Sequence, residues 1–141
     1  MKVFDSHLRL MANAGLSTTV VQAPCEEDPT GIIAFAAPDR LYAVYPDERE
    51  PRFVRVTTSM GFGPTDAPGQ AVLLGLANDL NRSSSFVRTV VEGPRHVQFV
   101  FETQIDDPER LPQLLEAAVL ALSRVADSFF DRMYRPGGAG A

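Results

Sequence analysis

The sequence predicts an α+β fold in which an antiparallel sheet of five to six strands is flanked by three helices, in the order α-β-β-β(-β)-α-β-β-α. The apolar period changes from helical to strand-like within residues 71–91. Short β-branched segments separated by turn residues precede that stretch, and a long apolar pattern of helical spacing follows the next hairpin. These three observations favour a single sheet covered by helices.

The first predicted helix covers about residues 4–14, whose apolar side chains recur at helical spacing. Gly15 follows it and is well placed to adopt the left-handed conformation that ends many helices. Thr18 to Gln22 is rich in β-branched residues and predicts a first strand. The polar segment from Pro24 to Thr30 contains two prolines and predicts a loop.

Two further strands are predicted at Ile32 to Ala37 and at Leu41 to Tyr45. Pro38 and Asp39 separate them and form a natural hairpin turn, so the pairing is expected to be antiparallel. A fourth strand is predicted from Phe53 to Met60, where residue types alternate.

The central helix follows an irregular segment, Gly61 to Gly69, that is broken by glycines and prolines. One stripe of this helix is apolar at positions i, i+3, i+4 and i+7, namely Leu73, Leu76, Ala77 and Leu80. Gly75 lies inside the helix and costs about 1 kcal/mol relative to alanine. We expect close packing against a neighbouring element to explain this glycine.

A hairpin and a last helix complete the predicted order. Strands at Phe86 to Val91 and Val97 to Ile105 are joined by a turn of the type that glycine and proline favour. The last helix begins either at Asp106, which has capping-box spacing to Glu109, or near Pro112, whose ring conflicts with the earlier start.

The last helix has apolar residues on more than one side. A main stripe repeats by steps of four and three and consists of Leu111, Leu115, Ala118, Leu122, Val125 and Phe129, while Leu114, Leu120 and Phe130 lie off it. At 1.5 Å per residue the helix is about 35 Å long, enough to overrun a small sheet. We expect its second apolar face to contact another subunit or another protein.

Composition limits the classes of function. The 141 residues are expected to form a single domain over 1–135, followed by a flexible glycine-rich tail at 136–141. A formal net charge of −5 disfavours direct nucleic-acid binding, which depends on clustered basic residues. Arg49, Arg52 and Arg55 lie close in sequence, and we interpret them as solubilising residues.

No chemistry is indicated by the reactive residue types. Cys25 is the only cysteine, so we expect neither a disulfide nor a catalytic role for it. His7 and His96 lack the close spacing of zinc ligands, and we interpret both as residues of polar faces. We therefore predict no catalytic residues, no metal ligands and no cofactor. The absence of a secretory or membrane-spanning stretch predicts a cytoplasmic protein that does not contact membranes.

The segment LANDLNRSSSF resembles the YbjN family, which has a leucine-rich helix that ends in an asparagine-containing turn before a two-strand hairpin. The residues that carry the resemblance are Leu76, Asn78, Leu80, Asn81 and Phe86. The element order is also similar to the type III secretion chaperone-like fold. This resemblance implies a single YbjN-like domain that is not an enzyme and that binds a protein client as a chaperone does. It also implies a homodimer with a link to bacterial stress response.

Other functions and modes of contact stay open at the level of sequence. A small-molecule-binding protein or an enzyme would need a pocket between helix and sheet with converging titratable groups. A regulator that contacts DNA would show steeply salt-dependent binding. A client or a second subunit could bind at a strand edge or on a helix face, and the sequence does not choose between them.

Overall fold

The segments predicted to be helices and strands form those elements, and most of their ends differ from the predicted ends by one or two residues. The computed structural model describes residues 1–38, 40–63 and 69–134. The helices are α1 (Lys2–Asn13), α2 (Gln70–Ser83) and α3 (Leu111–Tyr134). The strands are β1 (Thr18–Gln22), β2 (Ile32–Ala37), β3 (Arg40–Val44), β4 (Phe53–Gly61), β5 (Val87–Val91) and β6 (His96–Gln104). Asp39 of the predicted turn and the predicted tail at 136–141 lie outside the described residues.

The six strands form one antiparallel sheet in the order β1-β2-β3-β4-β6-β5. This confirms the predicted α+β class and the order α-β-β-β-β-α-β-β-α. β1 pairs with β2, β2 with β3 and β5 with β6, and in the first of these pairs Thr18 lies opposite Phe35. Because β4 pairs with β6, the strands at the two ends of the sheet are β1 and β5.

The described chain divides into two compact units. Unit 1 comprises residues 1–57 and 102–119, and its buried residues come from α1, β2, β3, β4 and the first half of α3. The rings of Phe35 and Tyr42 stack there, with their centroids 5.6 Å apart. Met11, Ile33 and Leu111 are fully buried in the same unit.

The described part of unit 2 comprises residues 58–63, 69–101 and 120–134. Its described core consists of the apolar stripe of α2, the β5–β6 hairpin and the second half of α3. Phe99 and Phe129 meet edge to face at 5.6 Å between ring centroids, a favourable aromatic geometry. The prediction of one domain over residues 1–135 stays a prediction.

The end of α1 confirms one prediction, and its buried face contradicts another. Gly15 has φ of +80°, and the next N–H, of Leu16, donates to the carbonyl of Met11 as in a Schellman motif. His7, however, is only 2 % exposed, so its interpretation as a residue of a polar face is wrong. It points inward because it shares the buried face of α1 with Phe4.

The central helix packs largely as predicted. Leu73, Ala77 and Leu80 are buried, whereas Leu76 is only half-buried. Gly75 is exposed, and no described atom outside its own helix lies within 4 Å of the place where a Cβ would be. The expected close packing at this glycine is therefore wrong.

The start of α3 matches the second of the two predicted alternatives. A short 3-10 turn covers Pro108–Arg110, and the α-helix begins at Leu111, which places Pro112 in its first turn. Proline is tolerated there because the first backbone N–H groups of a helix have no partner within it. Asp107, not Asp106, supplies the cap, since its Oδ1 accepts a hydrogen bond from the N–H of Glu109 at 3.1 Å.

Candidate protein-binding surface

The outer edge of β1 offers unpaired backbone groups. The N–H of Ala36 donates to the carbonyl of Ser17, and the register pairs Thr19 with Ala34 two residues further along. Antiparallel strands alternate between hydrogen-bonded and non-bonded pairs, so the N–H and C=O groups of Thr18 and Val20 point away from β2. Within the described ranges, neither residue has a backbone partner on that outer side.

The open stretch of β1 is short. The ladder is irregular between Val20 and Gln22, so Val21 lies in a β-bulge that interrupts the regular edge. The available groups are therefore the two N–H and two C=O groups of Thr18 and Val20. The side chains of Val20 and Val21 are 47 % and 60 % exposed, so apolar surface accompanies the unpaired backbone.

An apolar groove of about 380 Å³ lies where the chain enters β1. Leu16 precedes the strand and lines the groove, together with Ala36 and Ala37 from the end of β2. Val119 and Glu116 line it from α3, and Glu116 is the one titratable side chain among its described lining residues. A groove with this lining suits an apolar side chain better than it suits acid–base chemistry.

An acidic loop follows the C-terminal end of β1. Glu26, Glu27 and Asp28 are exposed, and Gln22 fixes the loop because its Nε2 donates to Asp28 Oδ2 over 2.8 Å. Hydrogen bonds from its own backbone N–H and from the thiol of Cys25 lower the pKa of Glu27. The loop therefore places three acidic side chains next to an edge that carries no charged side chain of its own.

On the opposite edge of the sheet, β5, side chains satisfy both outward groups of Thr89 and the outward N–H of Val87. Asn81 of α2 donates from Nδ2 to the carbonyl of Thr89 at 3.0 Å and accepts the N–H of Thr89 at Oδ1 over 2.7 Å. Ser84 accepts the N–H of Val87 at 3.1 Å. The register of β5 with β6 places both N–H groups on the outer side of the strand. Side chains at the end of α2 thus occupy the positions that an added strand would need beside Val87 and Thr89, while the outward groups of Val91 have no partner among the described residues.

Only some of the residues that carry the family resemblance meet at the junction of α2 and β5. Asn81 holds α2 to β5 and Leu80 is buried beneath that end of the helix, whereas Asn78 is exposed on α2. Phe86 lies just before β5 and is 74 % exposed. The segment therefore covers β5 at Val87 and Thr89, and sequence patterns alone carried no signal for the open edge at Thr18 and Val20.

The reactive residues of the sequence lie apart from one another. Cys25 is exposed in the acidic loop, His7 is buried in α1 and His96 pairs with Glu92, with Nδ1 and Oε2 3.0 Å apart. Within residues 1–38, 40–63 and 69–134, no three histidine, cysteine, aspartate or glutamate side chains form a group that could hold a metal ion. No helix in the same ranges is long and apolar enough to cross a membrane.

The three neighbouring arginines do not form a shared basic patch. Arg49 pairs with Asp47, with Nε and Oδ1 3.2 Å apart, which lowers the pKa of Asp47. Arg55 is half-buried and places its guanidinium over the ring of Tyr45, 5.2 Å from the centroid. Arg52 is exposed. Two of the three cations are thus engaged within the chain, and the interpretation of the three as solubilising residues stays a prediction.

Comparison with known proteins supports the fold and leaves the function open. The sequence matches no protein-family model, and no curated protein is significantly similar to it. The structure is similar to that of YbjN, a candidate transcription regulator from E. coli, with a TM-score of 0.56 and 14 % identity over 86 % of this chain and 87 % of that one. An uncharacterized protein from Methanothermobacter thermautotrophicus gives a TM-score of 0.60 and 14 % identity over 93 % and 99 %.

A weaker likeness involves a secretion chaperone. The Yersinia pestis type III secretion chaperone SycH, solved in complex with a stable fragment of YscM2, matches with a TM-score of 0.47 and 13 % identity over 88 % of this chain and 99 % of that chain. The likeness to YbjN confirms the fold that the LANDLNRSSSF segment suggested. At these identities the comparisons establish the fold alone.

Proposed function

We propose that this chain is a chaperone-like protein-binding domain that takes up an extended segment of a client protein along the open edge of β1. The client backbone pairs with the outward groups of Thr18 and Val20, which is recognition by strand addition. An apolar client side chain fills the groove beside Leu16. In this account the domain carries out no reaction, and a role in bacterial stress response would follow from the identity of the client.

The observation that carries this proposal is the contrast between the two edges of the sheet. Unpaired strand edges promote association with other chains, and proteins usually cover them. Here Asn81 and Ser84 cover Thr89 and the N–H of Val87 in β5, whereas nothing described covers either backbone group of Thr18 and Val20. An edge left open beside an apolar groove is the feature expected of a binding site for an extended peptide.

The charge of the surroundings determines the class of client. Glu26 and Glu27 project from the loop after β1, and Glu116 lines the groove near the start of the strand. Basic side chains on the client would therefore be attracted at both ends of the edge. The proposed client segment alternates apolar residues with lysine or arginine.

A homodimer formed through the same edge is a competing use of the surface. Two copies could pair their β1 strands about a two-fold axis, because a symmetric interface uses the same patch twice. Such a dimer would hide Thr18 and Val20 from a client. The proposal predicts that any dimer uses a different surface, for example the second apolar face of α3.

A peptide of seven residues that alternates lysine and valine tests the proposal. Its binding to the whole chain is measured by fluorescence anisotropy, with an alternating glutamate and valine peptide as the charge-reversed control. Val20→Pro removes one outward N–H while keeping an edge strand possible, because proline is tolerated where the N–H faces solvent. Val20→Thr keeps the N–H and is the matched control variant.

We expect the lysine peptide to bind the wild type and Val20→Thr, and Val20→Pro to weaken binding at least tenfold. We also expect the glutamate peptide to bind at least tenfold more weakly than the lysine peptide. Equal binding by Val20→Pro, with circular dichroism showing an intact fold, would place the peptide elsewhere and overturn the proposal. Sedimentation that shows a dimer lost in Val20→Pro would assign the edge to a second copy instead.

A further inference from the structure

A second concave site lies in unit 2, separate from the β1 edge in sequence and different in its chemistry. It is a pocket of about 360 Å³ between the end of α2 and the last turns of α3. Its described lining combines serines, two arginines and apolar side chains. The serines are Ser83, Ser84, Ser85 and Ser128, the arginines are Arg124 and Arg132, and the apolar residues are Leu80, Phe86 and Val125. We call it the arginine pocket.

The two arginines of this pocket have no carboxylate partner among the described residues. No oxygen of a described aspartate or glutamate lies within 4.0 Å of the guanidinium of Arg124 or Arg132. The chain contains 18 acidic and 13 basic residues, so unpaired arginines are not explained by a shortage of carboxylates. Among the described residues, no carboxylate therefore competes with a ligand for these two guanidinium groups.

The geometry of α3 fixes how the two charges are placed. Arg124, Ser128 and Arg132 recur every four residues, so they lie along one side of the helix, and all three line the pocket. Eight residues at 1.5 Å each separate the two arginine Cα atoms by about 12 Å along the helix axis. The pocket therefore presents two positive charges on either side of a central hydroxyl.

The remaining lining provides an apolar contact and few free anion ligands. Ser83 donates its hydroxyl proton to the carbonyl of Leu80 at 3.1 Å, so it does not donate to an anion, whereas Ser84 accepts the N–H of Val87 and keeps its own O–H proton. Phe86 is 74 % exposed at the rim, and a ring this exposed gains from covering by an apolar ligand group. The C-terminal end of α2 also carries partial negative charge, which disfavours a compact anion seated on the serines.

We propose that the arginine pocket binds an extended acidic peptide with an acidic residue on each side of an apolar residue. One further residue separates the apolar residue from each acidic residue. In an extended chain, residues i, i+2 and i+4 lie on one face, and i and i+4 are about 13 Å apart. That distance matches the separation of Arg124 and Arg132. The carboxylates pair with the arginines, and the central apolar side chain packs on Phe86 and Val125.

This ligand has the opposite charge to the client proposed for β1, so the two sites are separable by experiment. The probe is the peptide Gly-Glu-Ser-Phe-Ser-Glu-Gly, labelled for anisotropy and titrated with the whole chain. Three variants of the peptide serve as controls: glutamine in place of both glutamates, alanine in place of phenylalanine, and glutamates moved next to the phenylalanine. Arg124→Gln and Arg132→Gln test the protein, with exposed Arg52→Gln as the matched control.

We expect Arg124→Gln and Arg132→Gln each to weaken binding about tenfold and Arg52→Gln to leave it unchanged. Each altered peptide is expected to lose at least fivefold. Because neither pocket arginine has a described ion-pair partner, both variants should keep the wild-type unfolding midpoint. Binding that is equal for both glutamate spacings, or that is competed fully by inorganic phosphate at the peptide's concentration, would overturn the proposal. Tighter binding of a short single-stranded DNA with the same dependence on the arginines would also overturn it.

Discussion

Asn81 and Thr89 form a reciprocal pair in which the side-chain amide of one residue takes both backbone hydrogen bonds of the other, at 3.0 Å and 2.7 Å. The amide thereby occupies the place that a neighbouring strand would take beside β5. Thr89 is buried, so its backbone groups would be costly to leave unpaired. This pair covers the middle of the β5 edge, while the edge at β1 stays open.

Asn81→Ala removes both of these hydrogen bonds. We expect the free energy of unfolding to fall by about 1–3 kcal/mol, because a buried N–H and a buried C=O lose their partner. Asn78→Ala, at an exposed position of the same helix, is the matched control and should change stability by no more than about 0.5 kcal/mol. Urea unfolding curves of the three proteins measure the difference. Equal losses in both variants would show that Asn81 contributes only as an ordinary helix residue.

The elements of this fold could be predicted from the sequence because each depends on a local period. The left-handed conformation of Gly15 and the strand alternation from Val97 to Ile105 could also be predicted, because both depend on residues that are close together in the sequence. The pairing of Asn81 with Thr89 could not be predicted, since it depends on α2 lying against β5. The open edge at Thr18 and Val20 was likewise hidden, because it requires the order of the strands in the sheet.

The burial of His7, a titratable residue, could likewise not be predicted from the local sequence. Its position on α1 suggested a polar face, but the fold buries it, and Nδ1 has no hydrogen-bond partner among the described residues. Burial lowers the pKa of His7 from 6.5 to about 4, while the nearby charge of Glu48 acts in the opposite direction. The imidazole is therefore neutral in the folded protein at neutral pH.

Stability should consequently decrease in mild acid. Below pH 6.5 the unfolded chain takes up a proton that the folded chain does not, so stability is complete above pH 6.5 and falls as the pH drops towards 4. The loss attributable to His7 approaches roughly 3 kcal/mol. Unfolding free energies measured across that range test this, with His7→Leu expected to lose much less and His96→Gln expected to keep the loss. An unchanged acid loss in His7→Leu would assign the effect to other groups.

Glu48 caps α1 from a distant part of the chain. Its carboxylate accepts the N–H of Val3 at 3.1 Å and that of Phe4 at 2.8 Å, at the helix end where partial positive charge favours an anion. We expect Glu48→Ala to cost about 1–2 kcal/mol, as the loss of a helix cap does. Exposed Glu50→Ala in the same loop is the control, and thermal unfolding distinguishes them. Equal midpoints for the two variants would contradict a capping role.

Replacing either of two glycines by alanine should change the stability of the protein, but in opposite directions. A Cβ on Gly31 would lie 2.5 Å from Cδ2 of buried Phe4, so Gly31→Ala is expected to destabilise the protein by about 1–3 kcal/mol. A Cβ on Gly75 meets no described atom, so Gly75→Ala should stabilise α2 by roughly 0.5–1 kcal/mol. Denaturant midpoints measure both changes. A loss of stability in Gly75→Ala would restore the idea that this glycine packs closely.

The open edge of β1 is tested most directly by amide hydrogen exchange at single-residue resolution, without and with the lysine and valine peptide. In the free protein, the N–H groups of Thr18 and Val20 should exchange fast and those of Val87 and Thr89 slowly, because only the second pair is hydrogen-bonded. Saturating peptide should slow exchange at Thr18 and Val20 at least tenfold and leave Val87 and Thr89 unchanged. Peptide binding without added protection at Thr18 and Val20, or with protection at Val87 and Thr89 instead, would contradict client binding at this edge.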